Sequence, residues 1–264
     1  MEIKKYTTIV LLGAALLMAS CKKDTTSTTT SLPVVEAYLM AGNAISVRLY
    51  QQKALTDTTT HGAPITGQQL SISDGSSTVQ LAETTKGTYT YSNAAFLTTG
   101  KTYTLTFTYQ ASTVTAKTTM PAKPANFATQ YASISPTAPS GPNAIPDTIN
   151  RFTWANPDSL NHVLVFRNPD GTNFPLGNRG FNAKADFELN TDRKSVFYVT
   201  TNDIPYYGHY KVILLRVNQE YIDLLKSNTG RATSQNLVNT PTNITNGFGI
   251  FTAMQADTVN FNVL

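Results

Sequence analysis

One cysteine, one tryptophan and three histidines stand among 264 residues, and only 14% of the chain is charged. A single cysteine excludes an internal disulfide framework and the thiolate sets of a structural zinc site. His61, His162 and His209 lie on separate segments without His-x-x-x-His spacing, and the acidic residues are sparse and scattered. No Gly-x-Ser-x-Gly elbow is present to carry an activated serine. Asn246-Gly247-Phe248-Gly249 lacks the Lys and Ser or Thr that complete a phosphate-cradling loop. Asn168-Pro169-Asp170-Gly171 has the chemistry of a turn but not the spaced carboxylates of a calcium loop. The expectation is a non-enzyme with no catalytic residues, no metal and no cofactor. The formal net charge is only +4, and no stretch interleaves Arg or Lys with aromatics, so no nucleic acid partner is expected.

No apolar run reaches the roughly 20 residues needed to span a bilayer. What stands at the start is shorter: a basic region with Lys4 and Lys5, then the apolar run from Thr8 to Met18. That order is the order of a secretory signal. Met18-Ala19-Ser20-Cys21 is similar to a lipobox, an apolar residue and two small ones before a cysteine. A lone thiol in an exported chain needs a use, and acylation supplies one. Residues 1–20 are therefore expected as a lipoprotein signal peptide, with Cys21 the lipidated mature N-terminus and the link to the membrane. Cleavage there removes Lys4, Lys5 and Glu2 and lowers the net charge by one. Asp24-Thr25-Thr26-Ser27-Thr28-Thr29-Thr30-Ser31 offers no large apolar group to bury, so 21–31 is expected as a tether.

Threonine is abundant, 13 Tyr and 12 Phe are present, and long helical patterns are not. This is a β composition. Period two runs through the first half: Ile45, Val47 and Leu49 face one way, Ser46, Arg48 and Tyr50 the other. Tyr103, Leu105, Phe107 and Tyr109 alternate with threonines, and 112–119 reads as the neighbouring strand. Leu70 and Ile72, then Asp74-Gly75, then Val79 and Leu81 read as a hairpin. With 34–40 and 87–91, about seven short strands are expected, the spacing of a sandwich. Met120-Pro121-Ala122-Lys123-Pro124-Ala125-Asn126 carries two prolines that stop ladder pairing. The expected organisation is an immunoglobulin-like or prealbumin-like sandwich over 32–120, a Pro-rich linker over 121–127, and a second β-rich domain over 128–264.

The second half is less regular. Phe152-Thr153-Trp154, then a turn at Asn156-Pro157-Asp158, then 162–167 predict two strands, and Val196-Phe197-Tyr198-Val199 a core strand. Residues 210–217, Tyr-Lys-Val-Ile-Leu-Leu-Arg-Val, are apolar on both faces in the middle and predict a central strand. With Trp154 on an early strand and a tyrosine-led late one, the pattern resembles fibronectin type III. One short helix follows, with Asn218 as N-cap, Tyr221, Leu224 and Leu225 on one face, and Gly230 as terminator. Val259, Phe261 and Val263 form a closing strand. The fold class is all-β, two sandwiches with one short helix. Only His209 has aromatic company, in Pro205-Tyr206-Tyr207-Gly208-His209-Tyr210, which reads either as strand-entry packing or as a ligand-contacting loop.

Several segments together resemble one family. They are Leu32-Pro33-Val34-Val35-Glu36-Ala37-Tyr38-Leu39 soon after the cysteine, Ile45-Ser46-Val47-Arg48-Leu49, Gly87-Thr88-Tyr89, Gly100-Lys101-Thr102-Tyr103-Thr104-Leu105, and Asn243-Ile244-Thr245-Asn246-Gly247-Phe248-Gly249-Ile250-Phe251 near the end. The family consists of Bacteroidota lipoproteins described only as a domain of unknown function and often encoded beside TonB-dependent outer-membrane receptors. Residues 131–185 depart from any such pattern. The resemblance implies an outer-membrane, lipid-anchored protein, facing either the periplasm or the cell surface, working with a TonB-dependent transporter and presenting loops to a glycan or peptide ligand. It brings no known ligand-binding residues. The alternative is a structural or adhesive surface lipoprotein without a small ligand. Gly247 and Gly249 are themselves explained by a tight turn or bulge returning the chain to the sheet. Asp24-Thr25-Thr26, Asp57-Thr58-Thr59, Asp147-Thr148-Ile149, Asp158-Ser159-Leu160 and Asp257-Thr258-Val259 resemble acceptor tripeptides of Bacteroidota O-glycosylation.

Overall fold

Alternation buries one face of each early strand. Val35, Ala37 and Leu39 of β1 (Pro33–Met40) and Ile45, Val47 and Leu49 of β2 (Ile45–Gln51) all lie inside. The computed structural model describes residues 31–53, 58–137, 147–172, 174–176, 184–229 and 242–264. The expected hairpin is formed by β3 (Leu70–Ser73) and β4 (Thr78–Thr85), paired antiparallel. Its turn is closed by the Asp74 carboxylate, which accepts from the Ser76 and Ser77 amides at 2.9 and 2.7 Å. β5 (Thr88–Tyr91), β6 (Thr102–Tyr109) and β7 (Ser112–Thr119) complete seven strands in the order β1-β2-β5-β4-β3-β6-β7. All seven contribute to one buried cluster, so the run of strands folds over on itself into two layers.

The second half supplies β8 (Ala125–Thr129), β9 (Ser133–Ile134), β10 (Thr148–Ala155), β11 (His162–Arg167), β12 (Phe187–Asn190), β13 (Val196–Thr200) and β14 (Gly208–Val217). Helix α1 (Gln219–Thr229), β15 (Ile244–Thr245) and β16 (Phe248–Val263) follow. A three-stranded sheet, β13-β10-β8, faces the run β12-β11-β14-β16. Phe127, Phe152, Trp154, Phe166, Tyr210 and Phe261 fill the space between them. This is a second sandwich, with Trp154 early and Tyr210 on the central late strand as the fibronectin-like pattern requires.

β14 is central, between β11 and β16. β13, expected as a core strand, supplies buried Val199 and packs Phe197 on the aromatic core, but it lies at a sheet edge, with Tyr198 54% exposed. Four β-branched or aromatic residues in a row fit an edge strand as well as a central one, because only one neighbour is needed to hold them. β8 begins at Ala125, inside the stretch expected as linker. β11 is buried at five consecutive positions because both of its faces are covered. One side carries the aromatic core; on the other, Tyr221 and Ile222 of α1 pack on Val163, Val165, Leu215, Val217, Ile250 and Met254. Asn218 precedes α1 as expected. Its side-chain amide reaches across to the first sandwich, donating to Thr118 Oγ1 at 2.9 Å and to the Thr119 carbonyl at 2.8 Å. Gly230, the expected terminator, lies outside the described residues.

The closing strand is far longer than the alternation at 259–263 indicates. β16 runs parallel to β1 from Phe248 to Met254, then antiparallel to β14 from Met254 to Val263, so Met254 is the register partner of both Met40 and Val217. Phe251 and Ala253 sit in the first core, Phe261 and Val263 in the second. Leu32–Leu264 accordingly form one compact unit. Gly249, at φ +98°, admits β16 to β1: a Cβ there would lie 2.0 Å from the Val35 carbonyl oxygen, which only glycine avoids.

Candidate functional site

The three histidines end in three separate places. His61 lies flat on Tyr50, with ring centroids 4.6 Å apart and planes 6° apart. Its loop closes on β2 through Gly62, where a Cβ would meet the Gln51 carbonyl oxygen at 1.9 Å. His162 is 2% exposed and sits 5.8 Å from Trp154. Its Nδ1 is 3.1 Å from the Leu160 carbonyl, an acceptor only, so Nδ1 carries the proton and donates. Burial, aided by the Arg216 charge, holds the His162 pKa below its ordinary value, and the ring is a neutral packing group.

His209 belongs to a built cluster. One oxygen of Asp170 accepts from both the His209 amide and its Nδ1, each at 2.8 Å. These two bonds, the backbone one first, hold the Asp170 carboxyl below the usual carboxylate range. The turn at 168–171 and the aromatic segment at 205–210, which show no relation in sequence, thus meet. Buried Asn168 joins them by donating from Nδ2 to the Tyr207 carbonyl at 3.2 Å. Gly208 permits the approach, since a Cβ would stand 2.7 Å from Asn168 Oδ1. Tyr206 and Tyr210 point inward, and the Tyr210 hydroxyl donates to the Tyr206 carbonyl at 2.8 Å. Packing thus accounts for those two aromatics, while the bonds of the His209–Asp170 pair staple two loops together.

A second constellation assembles on the sheet face that α1 partly covers. Tyr38, 39% exposed, meets Tyr221 edge-on with centroids 6.2 Å apart. The Tyr221 hydroxyl donates to Glu188 at 3.0 Å, and the Tyr50 hydroxyl to Glu36 at 3.1 Å. Arg48 stands 3.9 Å from the same Glu36 oxygen. Burial first, then the Glu36 and Glu188 charges, push the Tyr38 hydroxyl up to about 12; burial, then Glu188, raise Tyr221 as well. Both phenols therefore stay neutral near pH 7, the Tyr221 proton being already donated to Glu188. Aromatic faces beside hydroxyls and carboxylates can stack on the apolar face of a sugar and accept from its hydroxyls, or hold a peptide. No motif announces this strip, because its members come from β1, β2, β12 and α1. The available signal was tyrosine on the polar side of two alternating strands, at Tyr38 and Tyr50.

Cys21 lies outside the described residues, as do Asp24-Thr25-Thr26 and Asp57. In the other three tripeptides Thr148, Ser159 and Thr258 are exposed. Among the described residues no three His, Cys, Asp or Glu side chains gather as a metal set, and no helix is long and apolar enough to cross a membrane.

The sequence matches no curated protein. Among solved structures it is similar to the FN1–FN3 domains of chicken CNTN1, at 8% identity and TM-score 0.29, covering 72% of this chain and 61% of that one. It is also similar to trypsin-activated alpha-2-macroglobulin from Escherichia coli, at 12% identity and TM-score 0.23, covering 71% of this chain and 14% of that one. The chain spans less than two thirds of either structure, the superpositions are loose, and the sandwich architecture rests on the strand pairing itself. A family described as a domain of unknown function (DUF4249) matches residues 22–259, nearly the whole chain, and the protein belongs to that family.

Proposed function

We propose that this protein is a cell-envelope lipoprotein, held in the outer membrane by lipid on Cys21, that serves without catalysis as a ligand-binding or accessory partner of a TonB-dependent transporter. The observation that carries the reading is the tyrosine and glutamate strip. Tyr38 and Tyr50, backed by buried Tyr221 and flanked by the carboxylates of Glu36 and Glu188, form an aromatic and acceptor surface on a body joined by β16. Lipidation is supported by the lipobox-like residues before Cys21 and by a family match that begins at residue 22.

The test is an affinity pull-down of the lipidated protein from gently solubilised host membranes, with protease shaving of intact cells alongside. A TonB-dependent receptor recovered at near-equal abundance is the expected result, as is loss of membrane association in Cys21→Ser. A surface-exposed protein that brings down no transporter would overturn the accessory reading in favour of adhesion.

A further inference from the structure

The two sandwiches meet at a cleft of about 420 Å³. Thr119 and Pro121, at the end of the first sandwich, form one wall. The turn after β10, Arg193 from the turn between β12 and β13, Arg216 of β14 and the start of α1 form the others. The cleft is held open by bonds that tie its walls together. Asn218 clamps the end of β14 to β7 through Thr118 and Thr119. Asn156 donates to the Leu160 and Arg193 carbonyls, both at 3.0 Å, which fixes the two turns against each other.

The charges in this cleft do not cancel. Arg193 donates from Nε to Asn161 Oδ1 at 3.0 Å and from Nη2 to Gln219 Oε1 at 3.2 Å. Those acceptors are neutral amides, so they aim the guanidinium without neutralising it. Arg216 lies on β14 opposite His162 and its charge helps to lower the pKa of that imidazole. Neither arginine takes part in an ion pair among the described residues. Asp158 is the single carboxylate in the lining. Glu220 turns to Thr118, accepting its hydroxyl at 2.8 Å, and Asp223 accepts from Gln219 at 2.8 Å. Two cations thus face one anion in a cavity of mixed lining and of the size that small ligands occupy. A guanidinium presents parallel donors that match a planar carboxylate, and one nearby carboxylate disfavours a doubly charged phosphate more than a singly charged ligand.

We propose that this cleft binds the carboxylate of a small polar ligand, with Arg193 and Arg216 holding the anion and the hydroxyls of Thr119 and Ser159 meeting its polar remainder. The carboxylate belongs either to an acidic sugar or to a peptide C-terminus. The proposal rests on the ligand-binding half of the proposed function and is independent of the transporter half. A pull-down without a transporter leaves it standing, and a cleft that binds nothing leaves a recovered transporter in place.

Trp154, the only tryptophan in the chain, packs beside His162, the register partner of Arg216, and so reports on the cleft. The full lipidated protein in detergent is titrated with glucuronate, triglycine and, as neutral control, glucose, followed by Trp154 emission and by calorimetry. A saturable response to glucuronate or triglycine but not to glucose is expected, and the stronger of the two names the source. Arg193→Gln, at an exposed side chain, and the double variant with Arg216→Gln should raise the half-saturation concentration at least about tenfold, with the thermal midpoint of Arg193→Gln close to that of the parent. No saturable heat or emission change with either carboxylate, an equal response to glucose, or unchanged binding in both variants would overturn the proposal.

Discussion

The two sandwiches are closed by different means. In the first, aliphatic side chains fill the centre and two buried tyrosines fasten loops at its rim: Tyr89 donates to the Ile65 carbonyl at 2.9 Å and Tyr103 to that of Phe96 at 3.0 Å. In the second, aromatic rings meet mostly edge to face, Phe152 contacting Phe166 at 5.7 Å and Phe261 at 5.6 Å, and α1 shields the far side of the sheet. The first therefore keeps one wet face and a clean alternation, whereas the second covers both faces of β11 and much of β14. What separates them is the covering of the sheet, and the single strand β16 is built into both. A strand shared by two cores couples their stabilities, since neither can open without freeing part of the other's sheet.

Removing the centre of the aromatic core tests that coupling most strongly. Phe152→Ala should cost about 3–5 kcal/mol and, in calorimetry, lower one unfolding transition. Two separated transitions would show that the sandwiches unfold independently and that β16 couples them weakly.

Next in size is the crossing point. Gly249→Ala forces a Cβ against the Val35 carbonyl at a positive φ, and a loss of about 3 kcal/mol in denaturant unfolding is expected. Gly75→Ala, also at positive φ but with nothing within 4 Å, should lose only about 1 kcal/mol. Equal losses would mean that backbone conformation, rather than the approach of β16 to β1, governs Gly249.

The smallest effects separate the sandwiches by pH. In the first, the Lys101 ammonium, then the Ser77 and Ser76 amides, hold the Asp74 carboxyl at about 2. Its folded value is below its unfolded one, so this contribution is complete above the ordinary Asp value of about 3.9 and fades as pH falls through about 2. In the second, buried His162 also has a depressed pKa, so here too the unfolded state takes up the proton first as pH falls. Stability is then whole above the ordinary His value of about 6.5 and declines as pH drops below it. Urea midpoints against pH should flatten just below that value in His162→Gln, and only at the acid end in Asp74→Asn. Unchanged profiles in both variants would remove these two groups as the source of the acid sensitivity.

Most of the first sandwich was legible because alternation is a local property. Side chains on a strand point to opposite faces in turn, so Ile45, Val47 and Leu49, or the tyrosines and threonines of β6, display their burial in their spacing. The second half was harder for the same reason: with both faces covered, β11 shows only an apolar run, and β13 gives no sign that it has one neighbour rather than two. The histidines are as scattered in the fold as in the sequence, but the Asp170–His209 bond spans 39 positions and leaves no mark on either segment. The tyrosine strip and the arginine cleft are hidden in the same way, each gathered from strands and turns far apart in the chain.

The amino-acid sequence by itself determined the strands of the first sandwich, the Asp74-Gly75 hairpin and the short helix, because each follows from near-neighbour sterics and the period of burial. Tertiary structure alone decided that the last strand serves both cores, that Asn218 clamps one sandwich to the other across 100 residues, and which polar groups meet at the junction. Those outcomes depend on contacts between distant segments, whose energies arise only once the sheets have closed on one another.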